Sequence, residues 1–343
     1  MGTEPRLVAQ ERMIRGARGQ NSCGMSDSDD QIARAVDVLR RGGLVAFPTE
    51  TVYGLGADAA NADAVHRLFA VKGRPADHPV IVHLADGTQL DEWSASVPPA
   101  ARMLADAFWP GPLTVIVPRA ARVPDAVTGG RDTVGLRVPG QPLAHALLAK
   151  FGGGIAAPSA NRFGRVSPTT ADDVRADLGD AVELVLDGGP CRVGVESTIV
   201  DCTRAAPVIA RLGGITANDV ARVLGHAIDV RDRGDVAAPG TLEHHYAPNA
   251  RVHVTTDGDV GARALTLLAT GARVALLTMH PPDGLPQSVI VLEPPRDVDE
   301  YAHVLYARLR ESDARDVDHV LAVPPPPDGI GAAVADRLAR AAS

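Results

Sequence analysis

A chain of 343 residues, 45% of them hydrophobic, is long enough for about two domains of ordinary size, each with its own core. Its formal net charge of −8 argues against a protein devoted to gripping nucleic-acid backbone, where Lys and Arg must neutralise phosphates, and 3% aromatic residues argue against a base-stacking platform. No apolar run reaches the roughly 20 residues that span a bilayer, so no membrane association is expected.

The three cysteines, Cys23, Cys191 and Cys202, have neither metal nor redox spacing. With no apolar leader ahead of a cleavage site, this points to a cytoplasmic protein without a disulfide framework. Residues 1–27 are rich in Arg, Gly, Gln and Ser and read as a flexible extension, with Met13 and Met25 as alternative starts. A helix capped at Ser28-Asp29-Asp30 follows, apolar at Ile32, Ala35, Val36 and Leu39 and stopped by Gly42-Gly43. Leu44 to Phe47 is a buried strand. Next come a polar turn, Thr49-Glu50-Thr51, and the stretch Val52 to Gly56, whose two glycines permit backbone angles and approaches that a Cβ would block. A helix with Val65, Leu68 and Phe69 on one face ends at Gly73, so Lys72 and Arg74 flank its end. A cation there ordinarily does no more than offset the helix dipole. Pro79 to Leu84 is a second buried strand, with His83 near its end. Polar groups at strand ends, beside a glycine-rich turn and a cationic loop, suggest an anionic ligand at the carboxyl edge of an α/β sheet.

Pro98 to Phe108 is helical, and Trp109-Pro110-Gly111-Pro112 breaks it before the strand Leu113 to Val117. Thr133 to Val138 alternates, putting Thr133, Gly135 and Arg137 on one face. On a solvent face Arg137 means nothing; in a cleft its planar fork suits a carboxylate. A helix (Pro142 to Phe151) and a strand (Gly154 to Ala157) lead to Ser159 and Asn161, residue types that commonly bond nearby backbone in loops. Ser167-Pro168-Thr169 opens a helix to Leu178, and hydroxyls at a helix N-terminus are natural phosphate sites. Strands at Val182 to Leu186, Ser197 to Asp201 and Val208 to Leu212 precede a helix from Ile215 to Leu224. Residues 226–237 are charged and aperiodic, as a linker is, and the linker reading runs on to 249. The adjacent His244 and His245 at its far end lack the carboxylate or thiol pattern of a metal site. From Arg251 the pattern is strand, helix, strand, strand, helix, strand and a last helix from Gly329-Ile330-Gly331, a small Rossmann-like unit. Gly-Ile-Gly is not a dinucleotide fingerprint, and no P-loop, His-Glu-x-x-His or Gly-x-Ser-x-Gly pattern occurs.

The segments PTETVYGLG (48–56), KGRP (72–75), HPVIVHL (78–84), WPGPLTVIV (109–117), DTVGLRVP (132–139), APSANRFGRVSPT (157–169), DGG (187–189) and GVESTIVD (194–201) resemble, in order, the Sua5/YrdC/YciO family, the threonylcarbamoyl-adenylate synthases. APG…HYAP (238–248) resembles the linker of the two-domain Sua5 type. The resemblance implies an α/β fold: a YrdC-like twisted open sheet with helices over 28–225, a linker or lid over 226–249, and a small Rossmann-like Sua5 C-terminal domain over 250–343.

It implies that L-threonine and bicarbonate form N-carboxy-threonine, whose carboxylate attacks the α-phosphate of ATP to give threonylcarbamoyl-AMP and pyrophosphate. Mg²⁺ accompanies the ATP, and a partner transferase uses the product to make N6-threonylcarbamoyladenosine at tRNA position 37. Carried over by position, Lys72 and Arg74 are catalytic. Thr51, His83, Arg137, Ala157 and Ser197 hold threonine, with Arg137 on its carboxylate. Lys72, Arg74, His78, Thr133, Ser159, Asn161, Ser167 and Arg211 surround ATP, and no residue is assigned to a metal. His78 stands where related sequences carry Asn, and Thr241, Glu243 and His244 depart from the usual linker. Two other readings remain at this level: an RNA-binding or ribosome-associated module with weak RNA affinity, and a paralogue that adenylates a different carbamate.

Overall fold

A computed structural model of the chain describes residues 21–231 and 246–343, with side chains from residue 28 onward. The segment carrying Thr241, Glu243, His244 and His245 lies outside the described residues. Strands β1 (Val45–Phe47), β2 (Gly54–Asp58), β3 (Ile81–His83), β4 (Leu113–Pro118), β5 (Thr133–Arg137), β6 (Ile155–Ala156), β7 (Leu184–Val185), β8 (Thr198–Asp201), β9 (Val208–Arg211) and β10 (Asp229–Val230) form one mixed sheet. Its order is β10-β9-β8-β4-β5-β3-β6-β2-β1-β7. A second sheet, all of whose pairs are parallel, holds β11 (Arg251–Val254), β12 (Val274–Leu277), β13 (Ile290–Val291) and β14 (His319–Ala322) in the order β11-β14-β12-β13. The helices of eight or more residues are α1 (Asn21–Arg40), α2 (Ala62–Lys72), α3 (Pro99–Phe108), α4 (Pro142–Phe151), α5 (Ala171–Leu178), α6 (Ala217–Leu224), α7 (Val260–Leu268), α8 (Val298–Ala314) and α9 (Gly331–Ala341). Among the described residues no helix is long and apolar enough to cross a membrane.

Three local outcomes differ from the sequence reading. Helix α1 runs through the expected cap at Ser28 and begins at Asn21, because Ser and Asp are only mildly unfavourable inside a helix. The glycine-rich stretch after Val52 is a strand, paired antiparallel to β1 with Val45 opposite Gly56 and Phe47 opposite Gly54. A Cβ on Gly56 would lie 2.8 Å from both Ile155 Cγ2 and Phe47 Cε1, so the glycine serves close packing within a strand instead of a turn. The expected linker opens with β10, which extends the first sheet beside β9.

Sheet register does the positioning. In the parallel pair β3 and β5, His83 lies directly opposite Arg137, and on the other side of β3 His83 faces Ile155 of β6. Residues separated by more than fifty positions in sequence therefore share one sheet end. One core cluster packs most of the first sheet against α2 and α3, and another fills the face under α1 and α4. A third is common to both sheets: Val52, Val166 and Val195 pack with Tyr246, Tyr306, Val334 and Leu338. At about 1.5–3 kcal/mol for each large apolar side chain buried, this contact is a real part of the fold.

Candidate functional site

A cleft of about 550 Å³, counting the open space at its mouth, lies where β3, β5 and β8 meet the turns at 49–54 and 157–159. Thr51, Arg74, His83, Arg137, Ala157, Ser159, Ser197 and Arg211 line it, with Thr49, Val52, Gly54, Ile81, Pro158, Glu196 and Tyr246.

The walls are held by hydrogen bonds within the protein. Thr49 Oγ1 donates to the Val52 carbonyl (2.7 Å) and accepts from the Thr51 and Val52 amides (3.2 Å each), locking the turn that presents Thr51. At the end of β5, Arg137 Nη2 donates to Glu50 Oε1 at 2.7 Å and Nε to the Gly111 carbonyl at 3.2 Å. Both partners of this ion pair are 4% exposed. The other Glu50 oxygen accepts the Gly140 amide at 2.9 Å. His83 is buried against the edge of Phe47, its Nδ1 without a partner among the described residues. Burial, reinforced by Arg137, lowers its pKa to about 3, so the ring is neutral at physiological pH. Ser197 Oγ sits 2.8 Å from Thr114 Oγ1 and accepts from Arg211 Nη2 at 3.1 Å.

Arg74 follows the left-handed Gly73 that ends α2 (φ 66°). Its Nη2 donates to the Pro79 carbonyl at 2.9 Å, and its buried Nε has no partner among the described residues. Burial brings this guanidinium down to about 10 and also lowers Arg211. Arginines held in so dry a cleft give up part of their preference for charge, which an anionic ligand restores.

Five residues named from the sequence do not line the cleft. Lys72 is 3% exposed, and its ammonium donates to the carbonyls of Ser159 (2.6 Å) and Asn161. Burial, and Arg74 nearby, lower its pKa well below the ordinary lysine value. Here it ties α2 to the loop that carries Ser159. Asn161 holds that loop from within, donating to the Arg162 and Arg165 carbonyls at 2.8 Å each. Ser167 donates to Glu196 Oε1 at 2.8 Å, one layer behind the wall. His78 is half-buried beside the Phe163 ring, its pKa lowered by burial and by Arg74. Thr133 shares a face with Arg137 but starts the strand that Arg137 ends, about 13 Å away at roughly 3.3 Å per residue.

Seven lining residues were not named as site residues from the sequence, among them Glu196 and Tyr246. Glu196 had a visible signal, a carboxylate directly before Ser197 at the entry to a strand. Tyr246 had only its place in the linker-like HYAP segment; tertiary packing, which no local pattern shows, brings it to the cleft. Both carboxylates near the ligand space are engaged by arginines, Glu50 by Arg137 and Glu196 by Arg337. No group of three or more potential metal ligands gathers among the described residues. A divalent ion arriving on nucleotide phosphates needs no such cage.

Comparison with known proteins decides the family. The Sua5_yciO_yrdC family, described as "Telomere recombination", matches residues 37–213. The chain belongs to the Sua5/YciO/YrdC family. The Sua5 C-terminal domain, described as "Threonylcarbamoyl-AMP synthase, C-terminal domain", matches residues 215–343. The chain is 41% identical to the threonylcarbamoyl-AMP synthase of Bacillus subtilis over 330 residues, covering 93% of this chain and 94% of the relative. It is 40% identical to that of Pyrococcus abyssi over 323 residues, 91% and 94%. The crystal structure of P. abyssi Sua5 complexed with L-threonine superposes with a TM-score of 0.84 at 39% identity, covering 91% of this chain and 94% of that one. The two matched regions meet between β9 and α6, so in this Sua5-type chain the second region lends β10 to the first sheet.

Proposed function

We propose that this chain is an L-threonylcarbamoyladenylate synthase, acting in the cytoplasm to supply the activated group for N6-threonylcarbamoyladenosine in tRNA. The observation that carries the reading is the make-up of the cleft lining. Arg137, neutral His83, Thr51 and Ser197 are a set suited to an amino acid. Arg74 and Arg211, which line the same cleft with Tyr246, are a set suited to phosphates. A structural relative of the same two-domain form crystallised with L-threonine supports the first assignment.

In this reading Arg137, already held by Glu50 and Gly111, turns its remaining nitrogen to the threonine carboxylate. The side chains of Thr51 and Ser197 and the neutral imidazole of His83 accept and donate hydrogen bonds around the rest of the amino acid. The neutral threonine amine condenses with bicarbonate to give the carbamate, and water leaves. One carboxylate oxygen of the resulting carbamate attacks the α-phosphorus of magnesium-bound ATP, and pyrophosphate leaves. Arg74 and Arg211 offset charge on the phosphates, and Ser159, fixed by Lys72, shapes the nucleotide side; the protein supplies orientation and electrostatics with no nucleophile of its own. A separate transferase then carries the group to tRNA.

The test is incubation of the purified chain with ATP, Mg²⁺, bicarbonate and each amino acid in turn, following pyrophosphate and the adenylate by mass spectrometry. Pyrophosphate that depends on both threonine and bicarbonate, with a threonylcarbamoyl-AMP mass, is the expected result. Turnover with a different amino acid only, or tight salt-sensitive RNA binding without turnover, overturns it.

A further inference from the structure

The wall carboxylate Glu196 lies 6% exposed in the first sheet's cleft, yet among the described residues two of its three side-chain donors come from the second unit. Tyr306 of α8 donates to both carboxylate oxygens at 3.0 Å. Arg337 of α9, fully buried, donates from Nε to Oε2 at 2.7 Å and from Nη2 to the carbonyl of Leu212, the residue after Arg211, at 2.8 Å. The same guanidinium lies 5.1 Å over the ring of Tyr246, and that ring stacks on Tyr306 at 5.8 Å between centroids. Tyr246 itself adopts a left-handed backbone (φ 67°), a conformation a tyrosine keeps only where its surroundings impose it.

We infer that Arg337 and Tyr306 are positioning residues for the nucleotide side of the cleft, holding Glu196, Tyr246 and the end of β9 in the arrangement that ATP meets; this rests on the function proposed above. Neither residue lines the cleft, and each acts through one that does. A buried ion pair is a poor way to gain stability compared with apolar packing. What the Arg337 fork provides is direction, because one planar group fixes a carboxylate, a carbonyl and an aromatic face at once. Electrostatics agree with the geometry: burial alone would raise the Glu196 carboxyl, but Arg337 and Arg211 hold it ionised, at about 2. The second unit therefore completes the site without presenting a catalytic group of its own.

The experiment compares R337M, R337K and Y306F with the full-length wild type, measuring kcat, the KM for ATP, the KM for threonine and the melting temperature. Kinetics are taken well below the lowest melting point. R337M is expected to raise the KM for ATP roughly tenfold, the effect of losing one well-made hydrogen bond, with kcat changed less than about twofold. Y306F is expected to do the same in smaller measure, and R337K, which keeps the charge without the fork, to recover part of the loss. Folded variants whose KM for ATP stays at the wild-type value while only the melting temperature falls overturn the inference, since that is the signature of a purely structural contact. If R337M does not fold, Y306F and R337K give the same two outcomes. Absence of threonine-dependent turnover in the wild type overturns the proposed reaction instead, and the positioning role is then read from calorimetric binding of ATP in the same variants.

Discussion

Arg137 and Glu50 show how a residue can be legible while its energetics are not. Alternation in β5 placed Arg137 on a face that could meet a carboxylate, but the partner it already holds lies 87 residues away in a turn, a distance no local pattern encodes. Removing the arginine leaves a 4%-exposed carboxylate with no counterion among the described residues. Arg137→Ala is therefore expected to cost about 3–5 kcal/mol in stability, read by denaturant unfolding, and to abolish threonine-dependent pyrophosphate release. An unchanged unfolding midpoint contradicts the account of the pair. His83 makes a second prediction. Its folded pKa of about 3 lies below the ordinary 6.5, so between those values the unfolded chain binds a proton that the folded chain does not. Stability therefore falls as pH drops from about 6.5 towards 3. His83→Gln should flatten that part of the stability-against-pH curve, and imidazole NMR of the wild type should show no His83 titration near neutrality.

At the scale of elements, apolar runs bounded by glycine and proline revealed most strands, and Gly73 correctly marked the end of α2. The failures have one cause: local chemistry that suits two structures. Ser28-Asp29-Asp30 suits a cap and is tolerated mid-helix, and the glycines after Val52 suit a turn as well as a crowded strand. Lys72 also has two readings: local chemistry makes a cation at a helix end a partner of the dipole, and the family resemblance makes it a catalytic, ATP-binding group. Here it joins α2 to the loop after β6 through the carbonyls of Ser159 and Asn161. Lys72→Met keeps the aliphatic bulk and leaves two buried carbonyls without their donor, each costing about 1–3 kcal/mol. The expected result is a lower melting temperature together with a weaker affinity for ATP, because Ser159 is released. Loss of turnover with an unaltered melting temperature would instead assign Lys72 directly to the phosphates.

The two sheets were legible as separate units, but their union was not, because its residues are scattered: Gly194, Glu196, Tyr246, Tyr306, Arg337. Gly194 has φ 83°, and a Cβ there would stand 2.4 Å from the Ala302 carbonyl oxygen and 2.5 Å from His303 Cα. Backbone meets backbone at that point, leaving no flexible side chain to yield. Gly194→Ala is expected to prise α8 from the first sheet, lowering the melting temperature and raising the KM for ATP through Tyr306; small-angle scattering should show a larger radius of gyration.

The reach from Glu196 to Arg337 spans 141 residues. A ribosome adding about 5–20 residues per second needs roughly 7–30 s to cover it. For most of that interval, once Arg211 is made, the nascent chain carries the strands and arginines of its cleft without the clamp behind them. The order of synthesis thus separates folding of the sheet from completion of its nucleotide side.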